Sequence, residues 1–234
     1  MIEFGHLSHV GLRRELNEDT YYGDATLGLW LVADGMGGHD SGEVASALAR
    51  DTVVREVRAG RSLKEAIRQA DEEIIRQSRR RQQGMPMGTT LVAARVQSSG
   101  RFEIAWVGDS RAYLWDGRLR QVSSDHSYVQ ELVDRGKLTP EQARSHPQRN
   151  VVTKALGVGE SGQLEVETVA GELRPGMQIL LCSDGLTEDV DDASIARVLA
   201  QKDISAQEGV DHLIAAALDG GGSDNITVVL LRRS

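Results

Sequence analysis

Five consecutive apolar residues, Leu29-Trp30-Leu31-Val32-Ala33, run without alternation and stop at a carboxylate, Asp34. A run of that length without alternation reads as a strand buried on both faces. Such a strand needs a packed layer above it and another below, so it constrains the fold more than any other stretch. Three of the next four residues are glycines (Gly35, Gly37 and Gly38), and a helical pattern begins at Gly42. A carboxylate at the end of a buried strand, facing a glycine-rich turn, is well placed to hold a metal ion.

The rest of the chain supplies the layers. Residues 42–59 place Val44, Ala45, Leu48, Ala49, Thr52, Val53 and Val57 at helical spacing, with Ser41 as N-cap. A second helix starts at Leu63 behind a Ser62/Glu65 capping box. Each helix has one apolar face, which predicts a covering layer over a sheet. Residues 89–96, 102–107, 111–115 and 119–122 read as an antiparallel meander, with hairpin signals at Ser98-Ser99-Gly100 and Asp116-Gly117. Short helices are expected over 127–135 and from Thr139-Pro140, where a second capping box stands. Together they make a small helical flap over about 125–150. Strands at 164–169, 178–182 and 226–231 and helices at 193–201 and 206–218 complete the chain. Strands and helices do not alternate strictly, so a layered, mainly antiparallel α+β domain is expected rather than a doubly wound parallel sheet. No stretch resembles a linker, so residues 1–234 are expected to form one domain.

Charge narrows the function. The net charge of −8 and the lack of a basic stripe argue against nucleic acid as a partner. Arg79-Arg80-Arg81 sits where basic residues favour the end of a helix. The one cysteine, Cys182, lies in an apolar strand and reads as a buried thiol in a reducing compartment. Residues 1–10 lack the pattern of a secretory signal, and no stretch approaches the ~20 apolar residues of a membrane span. A cytoplasmic monomer without membrane insertion is expected.

Four aspartates share one setting. Asp34-Gly35, Asp109-Ser110 and Asp184-Gly185 each follow an apolar strand, and Asp224-Asn225 opens another. Asp-Gly and Asp-Ser pairs are also ordinary turn chemistry, so no single pair carries weight. Four of them on the most apolar strands can converge at one end of a sandwich. Like charges gather there only if something neutralises them, and hard divalent cations such as Mg²⁺ or Mn²⁺ do so. His/Cys clusters with zinc spacing are absent. Arg14 is a candidate for binding phosphate through its guanidinium.

In order along the chain stand Arg14-x-x-Asn17-Glu18-Asp19, Asp34-Gly35-Met36-Gly37-Gly38-His39, Gly88-Thr89-Thr90, Val107-Gly108-Asp109-Ser110-Arg111, Asp125-His126-Ser127, Cys182-Ser183-Asp184-Gly185-Leu186 and Gly222-Ser223-Asp224-Asn225-Ile226-Thr227. In these motifs and their order the chain resembles the PPM/PP2C family of metal-dependent protein serine/threonine phosphatases, in its compact bacterial form. The resemblance implies an α-β-β-α sandwich of two mainly antiparallel sheets. It implies two core Mn²⁺ or Mg²⁺ ions and a third: Asp34 bridging the core pair, the Gly35 carbonyl completing one site, Asp184 and Asp224 holding the other, and Asp109 with Asp184 forming the third. Glu18 and Asp19 would act through metal-bound water, and Arg14 would grip the substrate phosphate. It further implies hydrolysis of phosphoserine and phosphothreonine in proteins by a metal-bridged hydroxide, opposing a bacterial Ser/Thr kinase. Eukaryotic relatives keep a histidine directly after the Asp-Gly pair as proposed general acid. Met36 stands there in this chain, and His39 and a water on the third metal are the substitute candidates. A catalytically silent phosphoprotein-binding module and a phosphoesterase acting on small molecules are the competing readings. Intact aspartates speak against the first.

Overall fold

The computed structural model describes residues 1–37, 41–80 and 87–234. Two antiparallel sheets face each other. One has the order β1-β11-β10-β7-β8, built from Ile2–His9, Ile226–Arg233, Gln178–Cys182, Arg111–Trp115 and Leu119–Gln121. The other has the order β2-β3-β5-β6-β9, built from Asp19–Asp24, Leu29–Met36, Leu91–Val96, Arg101–Val107 and Glu167–Glu172, with the short β4 (Gly88–Thr89) beside β3. Helices α1 (Ser41–Arg58) and α2 (Leu63–Arg80) cover the outer face of the second sheet. Helices α5 (Asp184–Asp189), α6 (Asp192–Leu199) and α7 (Ala206–Gly220) cover the outer face of the first. The layers are therefore α-β-β-α, as the family resemblance implied, and mainly antiparallel, as the order of elements predicted.

Strand β3 shows why its sequence does not alternate. Leu29, Leu31 and Ala33 pack under α1 and α2. Trp30 and Val32 point the other way, into the core between the sheets with Ile104, Leu114, Ile179, Leu181, Val229 and Leu231. All five β3 residues are fully buried, each large side chain contributing roughly 1.5–3 kcal/mol by leaving water. Cys182 is buried in the third cluster, beneath the helices of the first sheet, and burial pushes its thiol up to about 12.

Three sequence expectations change. The predicted meander is split: β5–β6 and β7–β8 are hairpins as expected, but they lie in different sheets. The chain crosses the sandwich between them through Gly108-Asp109-Ser110. The single strand expected at 89–96 is divided at Thr90 into β4 and β5, which both pair with β3. The strand expected at 164–169 pairs at 167–172. It is an edge strand with one open face. Leu164 and Val166, which carried its apolar signal, pack against the α1/α2 layer before pairing begins.

The flap keeps its predicted form. Ser127 caps α3 (Tyr128–Asp134), and Thr139 with Gln142 forms the capping box of α4 (Pro140–Arg144). The Ser62/Glu65 box at α2 is also present. No helix among the described residues is long and apolar enough to cross a membrane.

Candidate metal centre

Antiparallel pairing brings the aspartates to one end of the sandwich. Asp34 lies near the end of β3, directly opposite Asp19, the first residue of β2. Asp109 sits in the crossing between β6 and β7. Asp184 follows β10 and opens α5. Asp224 precedes β11. The ends of β3, β6 and β10 and the starts of β2, β7 and β11 thus share one rim.

Neutral side chains hold this rim together. Ser183 Oγ donates to Asp19 Oδ2 at 2.7 Å and accepts from Thr227 N–H at 3.0 Å, tying the first sheet to the start of β2. Asn225 staples the loop that carries Arg14. Its Nδ2 donates to the carbonyls of Val10 and Leu16, each at 2.9 Å, and its Oδ1 accepts from Glu18 N–H at 2.8 Å. Thr90 Oγ1 accepts from Asp34 N–H at 3.2 Å and shares a 2.7 Å hydrogen bond with Ser110 Oγ. That bond joins the end of β3 to the crossing loop. His126 secures the same loop: its Nδ1 accepts from Gly108 N–H at 3.0 Å. Its Nε2 therefore carries the proton and donates to Glu167 Oε1 at 2.8 Å. None of these roles was legible in the sequence, because most partners lie far apart along the chain.

The packing gives a reason for glycine at position 35. A Cβ there would stand 2.1 Å from the Gly42 carbonyl oxygen and 2.7 Å from that of Glu18. Glycine is needed because the start of α1 and the Glu18 backbone press on β3, whatever the Gly35 carbonyl binds. Gly108 turns the crossing with φ of +106°, in the left-handed region.

The acids sense one another. Burial raises the Asp34 carboxyl well above its usual value, and the charges of Asp19, Asp184 and Asp109 raise it further. Asp184 is raised well above its usual value by burial, then by Asp109, Glu188, Asp224 and Asp19. Burial lifts Asp109 to about 7, helped by Asp125 and opposed by Arg111. Burial lifts Asp19 to about 6, with hydrogen bonds from Thr227 and Ser183 opposing it. The group is loosely gathered: among the described residues no three His, Cys, Asp or Glu side chains close around one point as a finished metal cage.

The donor set nevertheless fits divalent cations. Asp19 Oδ1, Asp184 Oδ1 and Glu188 Oε1 are buried without a hydrogen-bond partner. Orphaned carboxylate oxygens are unfavourable unless a cation or water answers them, and hard divalent ions prefer such oxygens. Glu188, one helical turn beyond Asp184, is an acid that the sequence reading missed. Its signal was the i, i+4 spacing after Asp184.

Around the rim, Asp109 and Asp184 line a cleft of about 420 Å³ that also borders the flap residues Ser127, Val129, Pro140 and Arg149. Arg111 ties the base of the flap to β7 by gripping Asp125 with Nε and Nη2, at 2.7 to 3.0 Å. Arg14 stands on the rim with over half its side chain exposed, and Nη2 donates to Asp224 Oδ2 at 2.6 Å. Glu18 is half-buried beside the backbone of Gly42, and burial raises its carboxyl. His39 lies outside the described residues.

The sequence profile of protein phosphatase 2C matches residues 12–219. The serine/threonine protein phosphatase PstP of Mycobacterium tuberculosis is 39% identical over 237 residues, covering 98% of this chain and 45% of that protein. This chain thus spans about half the length of that curated relative. A crystal structure of M. tuberculosis PstP superposes with a TM-score of 0.91 at 39% identity, covering 100% of this chain and 99% of the other. A crystal structure of the PstP catalytic domain in complex with two manganese ions superposes with a TM-score of 0.87 at 36% identity, covering 99% and 97%.

Proposed function

The chain belongs to the protein phosphatase 2C family, and on that premise we propose that it hydrolyses phosphoserine and phosphothreonine in phosphorylated proteins, using bound divalent cations. The observation that carries this reading is the convergence of Asp19, Asp34, Asp109, Asp184 and Asp224 on one rim of the sandwich, with carboxylate oxygens left unanswered.

Asp34, Asp184, Asp224 and the Gly35 carbonyl would hold two core ions, and Asp109 with Asp184 a third. The manganese in the PstP complex supports Mn²⁺ over Mg²⁺ as the first ion to test. Such ions, when bound, supply Lewis acidity toward phosphoryl oxygens and activate water near neutral pH. The protein's own residues do the rest. Ser183, Asn225 and Thr90 fix the carboxylates in place. Glu18 and Asp19 orient water at the site. Arg14 presents a planar guanidinium from the rim, suited to two phosphoryl oxygens at once. Its charge stabilises the oxygens as the bond to the leaving serine or threonine breaks. Met36 carries no transferable proton, so His39 is the side chain assigned to protonate the leaving oxygen. Cys182 is buried away from this chemistry, in keeping with direct hydrolysis. The protein would act as a cytoplasmic monomer opposing a Ser/Thr kinase.

The test is phosphate release from a phosphothreonine peptide. Activity should require Mn²⁺, vanish with EDTA, and vanish in Asp34→Asn. Release that persists in EDTA, or in that variant, overturns the reading.

A further inference from the structure

A second cavity, of about 380 Å³, opens beside Met36. Asp34 and Met36 are two residues apart on β3, so their side chains leave the same face of the strand. At the rise of a strand they are separated by about 7 Å. Met36 brings the end of β3 into the lining, whose other walls come from α2 and from residues 152–165.

Its walls have two characters. Met36, Val152, Val158 and Leu164 make an apolar side, and Asp71, Glu160 and Glu165 add acids. Among the described residues Lys154 is the one cation of the lining, and it is already answered: its Nζ lies 3.8 Å from Glu165 and 4.0 Å from Glu167. Asp71 is different. It projects from α2, is only 2% exposed, and accepts one hydrogen bond, from Gly157 N–H at 2.8 Å. Among the described residues no cation pairs with it. Glu160, exposed at the mouth, accepts from Gln163 Nε2 at 2.6 Å and also lacks a cation among the described residues. A cavity with an aliphatic wall and two unanswered carboxylates matches a side chain with an aliphatic stem and a cationic head.

We infer that this cavity is a specificity pocket for an arginine or lysine side chain flanking the phosphorylated residue of the substrate. The inference rests on the phosphatase reading above. The stem lies along Met36, Val158 and Leu164, and the head meets Asp71 and Glu160. An extended peptide advances about 3.3 Å per residue, so the side chain comes from about two positions away from the phosphoresidue. Met36, at the position where eukaryotic relatives keep a histidine, here forms part of a binding wall.

The experiment uses phosphothreonine peptides that differ at one position, two or three residues before or after the phosphothreonine, carrying Arg, Ala or Glu there. Phosphate release gives kcat/KM for the wild type, Asp71→Asn and Glu160→Gln. In the wild type, Arg should exceed Ala about tenfold at one of these positions, chiefly through KM, with Glu below Ala. In both variants the Arg-to-Ala ratio should fall towards one. Equal kcat/KM for the three peptides in the wild type overturns the pocket, as does a preference that survives both substitutions. A wild type that hydrolyses none of the peptides overturns the phosphatase reading, and the pocket with it.

Discussion

Replacing Asp109 by Asn should stabilise the metal-free protein, and should do so only where Asp109 would be ionised. Asp109 is 7% exposed, and its carboxyl is raised from the usual 3.8 to about 7, by burial first and by Asp125 second. Ionising it inside the fold therefore costs about 4 kcal/mol relative to the unfolded chain. Most of that cost is burial, and water entering the cleft that Asp109 lines relieves part of it, leaving about 2 kcal/mol. Below the unfolded value of 3.8 both states are protonated and the cost is absent. It grows as pH rises towards 7, because the unfolded chain ionises first, and it is constant above. Asn keeps the shape without the charge. In EDTA at pH 8, Asp109→Asn should raise Tm by about 4–8 °C for a chain of this size, and at pH 4 by almost nothing. Saturating Mn²⁺ should narrow the gap, because the ion neutralises Asp109 in the wild type. Thermal unfolding followed by circular dichroism reads all of this. Equal Tm values at pH 8, or the same advantage at both pH values, would refute the electrostatic account.

Asn225→Ala removes three hydrogen bonds that hold the Arg14 loop, to the Val10 and Leu16 carbonyls and from Glu18 N–H. It should destabilise by about 2–4 kcal/mol and weaken Mn²⁺ binding measured calorimetrically. Unchanged stability would show that the loop is held by other contacts. Gly35→Ala puts a methyl group 2.1 Å from the Gly42 carbonyl oxygen and should cost about 3 kcal/mol or more in chemical denaturation. A loss below ~1 kcal/mol would mean that α1 yields easily at that end.

The layers were legible because burial on both faces leaves a pattern that needs no partner to be recognised: β3 carries it along five residues. The helices were legible from caps that act within one turn, as at Ser62 and Thr139. The edge strand β9 was misplaced because half of its surroundings is solvent, so its apolar residues mark packing next to the strand and not the pairing itself. The crossing between β6 and β7 was hidden because a hairpin and a crossover can begin with the same turn residues. At the site, the ends of apolar strands pointed to Asp34, Asp109, Asp184 and Asp224. Their supports did not announce themselves. Ser183 meets Asp19, and Asn225 meets Glu18, across more than 150 residues of chain, and no local pattern encodes such a pairing. Gly35 is instructive in another way. The backbone of Gly42 leaves no room for a Cβ there, and no local pattern announces that contact.

The central claim is that these carboxylates form a metal centre, and anomalous diffraction from crystals grown with Mn²⁺ tests it most directly. The account predicts two strong peaks within bonding distance of Asp34, one of them also reached by Asp184 and Asp224, and the loss of both in Asp34→Asn. Peaks elsewhere on the surface, or an empty rim at saturating Mn²⁺, would contradict it.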